Sequence, residues 1–151
     1  MDMLTALALS IGILIALWVK VGTMASLIVP AGIVAWACFF AAGGKTQGLQ
    51  KTIASTLSGV VWVWLAMAIV GWMNMASWAW VLIGVVAFML VLQSKVPILS
   101  FIPGAFCGAA VTGWAAPGTP KGYVMVAVAL VVGAVLGYIS EMGAGMIAKK
   151  A

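Results

Sequence analysis

The stretch TIASTLSGVVWVWLAMAIVGW, Thr52 to Trp72, runs without a single charged side chain. About 20 predominantly apolar residues are what a helix needs to cross the roughly 30 Å hydrocarbon layer of a bilayer. The stretch lacks strict apolar–polar alternation, which excludes a barrel strand. In hydrocarbon every backbone N–H and C=O has to be satisfied within its own segment, and that leaves the α-helix. Working outward from it, islands of Lys, Gly, Pro, Asn or Gln divide the chain into six apolar segments, at about 4–20, 23–42, 52–72, 77–93, 96–116 and 122–142. The expected fold class is an all-α integral membrane protein with six transmembrane helices, forming a single transmembrane domain over residues 1–151.

Composition requires the same solvent. Hydrophobic residues make up 66% of the 151 and charged residues only 6%, with a mean hydropathy of +1.29, whereas soluble domains run near half apolar and a quarter charged. A water-soluble globule is excluded. There is no His, the two carboxylates are Asp2 and Glu141, and all seven basic residues are Lys. Acid–base pairs, metal clusters and Ser–His nucleophiles therefore cannot be assembled, and neither an enzyme, a metal nor a cofactor is expected. The net charge of +5 does not argue for nucleic acid, because no Arg is available for bidentate phosphate recognition. Cys38 and Cys107 lie inside apolar segments and read as small packing residues rather than as a disulfide or a metal site.

The lysines orient the chain instead. Six spans put Lys45, Lys51, Lys95, Lys149 and Lys150 on one side and Lys20 and Lys121 on the other, so the positive-inside rule places both termini in the cytoplasm. Trp72, Trp78 and Trp80 flank the loop Met73–Ser77 as an aromatic belt at the outer interface. Residues 4–19 read as a retained first span, and Glu141 as an interfacial carboxylate pairing with Lys149 or Lys150.

Shifting the sequence against itself by about 74 residues brings Ser26 onto Ser100, Gly59 onto Gly133 and Trp64 onto Tyr138. Phe40-Ala41-Ala42-Gly43-Gly44 meets Trp114-Ala115-Ala116-Pro117-Gly118, and Pro30 meets Pro103 one residue out of step. The halves, about 1–75 and 76–151, then hold three spans each. An odd number of spans makes them inverted repeats, an arrangement that recurs in transporters with the working site near the midplane.

The second span of each half carries a proline, within Ser26-Leu27-Ile28-Val29-Pro30 and Ser100-Phe101-Ile102-Pro103. Inside a helix, each proline would free the carbonyl four residues earlier. The expected solute path accordingly runs past Ser26, Pro30, Phe40, Ser100, Pro103 and Trp114; the competing reading is that both prolines only kink helices for packing. Ser55-x-x-x-Gly59, Gly104-x-x-x-Gly108 and Gly133-x-x-x-Gly137 place small residues on single helix faces, for contacts within one chain or between protomers of a homo-oligomer.

No Asp, Glu, Lys, Arg or His lies near the middle of any segment, which counts against proton-coupled transport. The expected function is a passive channel or facilitator for a small neutral or weakly polar solute. The alternative is a non-transporting membrane assembly or anchoring subunit acting through a partner.

Trp36-Ala37-Cys38-Phe39-Phe40-Ala41-Ala42-Gly43-Gly44, Ile102-Pro103-Gly104-Ala105-Phe106 and the overall length resemble the YcdZ-like family of small bacterial inner-membrane proteins, classed as of unknown function. The resemblance implies an integral, multi-span protein of the bacterial inner membrane. It carries over no catalytic or ligand residue.

Overall fold

The computed structural model describes residues 2–74 and 76–149, Lys149 by its backbone only. Six α-helices account for most of these residues: α1 (Met3–Met24), α2 (Val29–Ala41), α3 (Lys45–Met73), α4 (Ala79–Leu92), α5 (Ile102–Ala115) and α6 (Pro120–Lys149). Short 3-10 turns flank α4 and precede α5. Met75, inside the expected outer loop, and Lys150 lie outside the described residues.

Four segments are long and apolar enough to cross a membrane: Met3–Met24, Lys45–Met73, Ala76–Lys95 and Pro120–Ala148. At 1.5 Å per residue, α3 with 29 residues is about 43 Å long, and α6 with 30 is about 45 Å. By contrast, α2 with 13 residues and α5 with 14 reach only about 20 Å, short of the hydrocarbon thickness. They are also shorter than the apolar segments 23–42 and 96–116 from which they arise.

The reason lies in how the preceding helix stops. Ser26 adopts the left-handed conformation (φ 56°), while Leu27 N–H bonds the Gly22 carbonyl and Ser26 N–H that of Thr23. This closes α1 in the manner of a Schellman cap. Pro30 and Pro103 then occupy the first turns of α2 and α5, where a missing N–H costs nothing and the fixed φ favours helix. Both prolines lie in first turns rather than helix interiors, so the expected release of the Ser26 and Leu99 carbonyls by an internal proline does not occur.

Each short helix packs most extensively along a long one, α2 along α6 and α5 along α3. Both contacts depend on glycine. A Cβ on Gly133 would strike the Gly32 carbonyl, and one on Gly59 would strike the Ala105 carbonyl. Gly59 faces Ala105 and Gly108, so the small-residue motifs of α3, α5 and α6 serve contacts within one chain. The main core joins Trp18, Ala31, Ala35, Val60, Val126 and Leu130 from α1, α2, α3 and α6. A smaller one joins Val86 and Leu90 of α4 to Ala105.

The outer surface is as apolar as the core. Leu4, Trp72, Trp80, Ile83, Phe88 and Trp114 are all exposed, which suits a lipid surround. At one tip, Asp2 caps α1; the Thr5 hydroxyl and amide that donate to it hold its carboxyl below the usual carboxylate range.

Candidate functional site

Where polar atoms are buried among apolar helices, something has to satisfy them. Among the described residues, the buried polar side chains are all hydroxyls: Ser10, Thr52, Ser55, Thr56, Thr112 and Ser140. Three of them share one face of α3 with Gly48, Gly59 and Val60, because residues spaced three and four apart stack on one side of a helix. That face meets α5 through its own small residues. A Cβ on Gly104 would lie 3.3 Å from the Ser55 Cβ, and one on Gly108 would strike the Thr56 backbone.

Hydroxyls in helices normally return to a carbonyl of the preceding turn. Thr56 Oγ1 does so to Thr52 O at 2.8 Å, Thr112 Oγ1 to Gly108 O at 2.7 Å and Ser140 Oγ to Gly137 O at 2.6 Å. Thr52 and Ser55 do not. Both are 0% exposed, and neither Oγ has a hydrogen-bond partner. A buried donor left without a partner costs about 1–3 kcal/mol.

A second polar chain lies beside them. Trp62 Nε1–H donates to Gln93 Oε1 at 2.9 Å, Gln93 Nε2 donates to Ser58 Oγ at 2.8 Å, and Ser58 Oγ donates to the Ser55 carbonyl at 2.6 Å. Gln93, just past α4, thereby ties α4 to the hydroxyl face of α3. Thr52, Ser55, Thr56, Ser58 and Gln93 form a polar cluster along α3, and none of the five is ionisable. Their role was legible only as spacing: Thr52, Ser55, Thr56 and Gly59 follow i, i+3, i+4, i+7, the mark of one helix face.

The residues expected to line a path are placed differently. Ser26, Pro30, Ser100 and Pro103 are all exposed. Phe40 is half-buried at the end of α2, its ring edge-on to Phe39 at 5.1 Å. Trp114 is 75% exposed near the end of α5. Pro30 and Trp114 meet across a shallow apolar groove of about 280 Å³ with Ala110 and Val111. A larger groove of about 400 Å³ opens between α3, α4 and α5, walled by apolar residues including Val63, Met67, Ile83, Val86 and Phe106. Neither groove offers a polar side chain that would orient a polar solute.

Glu141 closes one end of the bundle. Its Oε2 accepts the Lys45 backbone N–H at 2.7 Å, while its expected partners, the Lys149 side chain and Lys150, lie outside the described residues. Cys38 on α2 and Cys107 on α5 are both free, on two helices that pack against each other.

The sequence matches the model of a family described as "Protein of unknown function (DUF1097)" over residues 8–145. It is 36% identical over 143 residues to the inner membrane protein YcdZ of Escherichia coli (strain K12), covering 91% of this chain and 83% of that one. It is 33% identical over 120 residues to the uncharacterized protein YahC of the same organism, covering 72% and 73%. The inner membrane protein YcdZ of Salmonella typhimurium (strain LT2) is 33% identical over 116 residues, covering 74% and 71%. No solved structure matches the chain. These relatives and the four long apolar helices support an inner-membrane location. Matched along most of its length by the family model and by YcdZ, the chain belongs to the DUF1097 family, the YcdZ-like group that its apolar motifs resemble.

Proposed function

We propose that the protein is a passive channel or facilitator for a small neutral or weakly polar solute. In this reading it crosses the inner membrane six times as two inverted three-helix halves, with both termini in the cytoplasm, and is not an enzyme.

The observation that carries the reading is the pairing of the two glycine crossings. The shift of about 74 residues takes Gly59 to Gly133. The one-residue slip that takes Pro30 to Pro103 takes Gly32 to Ala105. Gly59 on the Ala105 carbonyl and Gly133 on the Gly32 carbonyl are therefore images of one another. Burial keeps the same register: Thr52, Ser55, Thr56, Gly59 and Val60 on α3 correspond to Val126, Ala129, Leu130, Gly133 and Ala134 on α6, all buried. Ala31, Gly32, Ala35 and Phe39 on α2 correspond in the same way to Gly104, Ala105, Gly108 and Thr112 on α5, again all buried.

Because α2 belongs to the first half yet lies along α6, and α5 to the second yet lies along α3, the halves interlock. Short helices with irregular backbone at corresponding positions of two halves are the feature by which transporters of inverted-repeat architecture mark their solute site. Such backbone is tolerated at membrane depth where protein or a polar cavity surrounds it. In the six-span reading Lys45, Lys51, Lys95, Lys149 and Lys150 fall on one side, in keeping with that side facing the cytoplasm.

Stopped-flow swelling of proteoliposomes tests the reading. Permeability to water, urea, glycerol, ammonia or a short acid is expected to exceed that of empty vesicles for at least one of them; equal rates for all would overturn it.

A further inference from the structure

Resting on that reading, we propose that the solute is held at the hydroxyls of Thr52 and Ser55, on the buried face of α3 beside its seam with α5. The solute class is an uncharged molecule of about water size that both donates and accepts hydrogen bonds.

Geometry places the site. Thr52 and Ser55 sit one turn apart on the buried face of α3, and both hydroxyls are fully buried without a partner. Neighbouring hydroxyls on α3, α5 and α6 return to their own helix carbonyls, so the two exceptions are available to an outside group. Opposite Ser55 stands Gly104, which presents no side chain. The Phe101 ring packs over the bare Cα of Gly104, so the seam closes tightly around the Ser55 hydroxyl.

Chemistry sets the class. A hydroxyl offers one donor and two lone pairs, so two hydroxyls can exchange bonds with a molecule of either polarity as it passes. No ionisable side chain is buried with them, and an ion stripped of water would find no compensating charge. The tight approach of Gly59 and Gly108 to the partner backbones leaves no room there for any but the smallest solute. The Gln93 and Ser58 bonds hold α4 against this face and keep the hydroxyls in register.

The experiment compares wild type, the double variant Thr52→Val/Ser55→Ala and the control Ser140→Ala. Each is reconstituted at equal density, assayed for osmotic swelling with water and urea, and melted in detergent. Losing one to two hydrogen bonds to the passing solute is expected to lower the double variant's flux about tenfold. Its melting temperature is expected to stay level or rise, since two unsatisfied hydroxyls disappear. Ser140→Ala, which removes a hydroxyl that donates to the Gly137 carbonyl and accepts from Trp36 Nε1–H, is expected to melt lower but to keep wild-type flux. If wild type conducts and the folded double variant conducts equally, the seam is overturned while the facilitator reading stands. If wild type conducts nothing above empty vesicles, the facilitator reading falls and the seam with it. Should the double variant fail to fold, Ser55→Ala alone decides: wild-type flux in that variant overturns the assignment of Ser55.

Discussion

Glu141, on α6, accepts the backbone N–H of Lys45 at a distance of 2.7 Å, so a carboxylate from one helix caps the first turn of another. Gly44, the residue at the cap position, has no side chain to do this and adopts φ 66°. A Cβ there would lie 2.7 Å from Glu141 Oε1. The first turn of a helix leaves its amides unsatisfied and carries partial positive charge, and Glu141 answers both.

Replacing it should therefore loosen that end of the bundle. Glu141→Ala is expected to cost about 1 kcal/mol, the usual worth of a helix cap, and Glu141→Gln less, since an amide oxygen can still accept. Hydrogen exchange of the 45–48 amides in detergent checks this: faster exchange in Glu141→Ala than in Glu141→Gln supports the cap, and equal rates in all three proteins refute it.

Glycines divide sharply by what surrounds them. Gly59→Ala and Gly133→Ala each drive a Cβ into backbone carbonyl of the neighbouring helix, and overpacking of this kind costs about 1–3 kcal/mol. Gly71→Ala meets open space in the last turn of α3 and should gain up to about 0.5–1 kcal/mol from helix propensity. Unfolding in mixed micelles should show the two crossings losing similar stability while Gly71→Ala gains. A large difference between Gly59→Ala and Gly133→Ala would break the equivalence of the halves.

Six apolar segments and the all-helical class were readable because charged residues are confined to the ends of the apolar runs. Helix limits were not. Lys45, Gln47, Gln50 and Lys51 read as a loop, yet they form the first two turns of α3, since a helix longer than the hydrocarbon can carry polar residues at its ends. In the opposite direction, Ser26 ends α1 and Pro30 begins α2 within a run that is apolar throughout, and hydropathy is blind to such a break. Prolines and serines drew the expected path to the turns, whereas the polar cluster sits on α3. Thr52 and Ser55 are inconspicuous in sequence because hydroxyl residues are ordinary in apolar helices; only burial without a partner sets them apart.

Ser26 also permits a gain. Its left-handed φ of 56° strains an L residue by about 1–2 kcal/mol, and glycine occupies that conformation without penalty. Ser26→Gly is expected to raise the melting temperature measurably. An unchanged or lower value would mean that the serine side chain contributes to the turn.

Gln93 joins two residues of α3 through its two amide atoms, bonding Trp62 at 2.9 Å and Ser58 at 2.8 Å. Gln93→Leu keeps the bulk but strands the Trp62 N–H, at a cost of about 1–3 kcal/mol. Because these bonds hold α4 to α3, the variant should also speed proteolysis near residues 93–101. Wild-type stability and proteolysis together would show that apolar contacts of Val86 and Leu90 alone hold α4.

Cys38 on α2 and Cys107 on α5, helices that pack against each other, give a chemical ruler for that contact. Cys38 is buried and Cys107 half-buried, so a small, membrane-permeant reagent with two thiol-reactive arms should enter from the Cys107 side and bridge them within one chain. Mass spectrometry of the intact protein is expected to show one added linker with no free thiol remaining. Cys38→Ala should instead take up the reagent by one arm, leaving the other free to react with added thiol. If wild type behaves like the single-cysteine variant, α2 and α5 do not meet at these residues, and the interlocking of the halves would have to be redrawn.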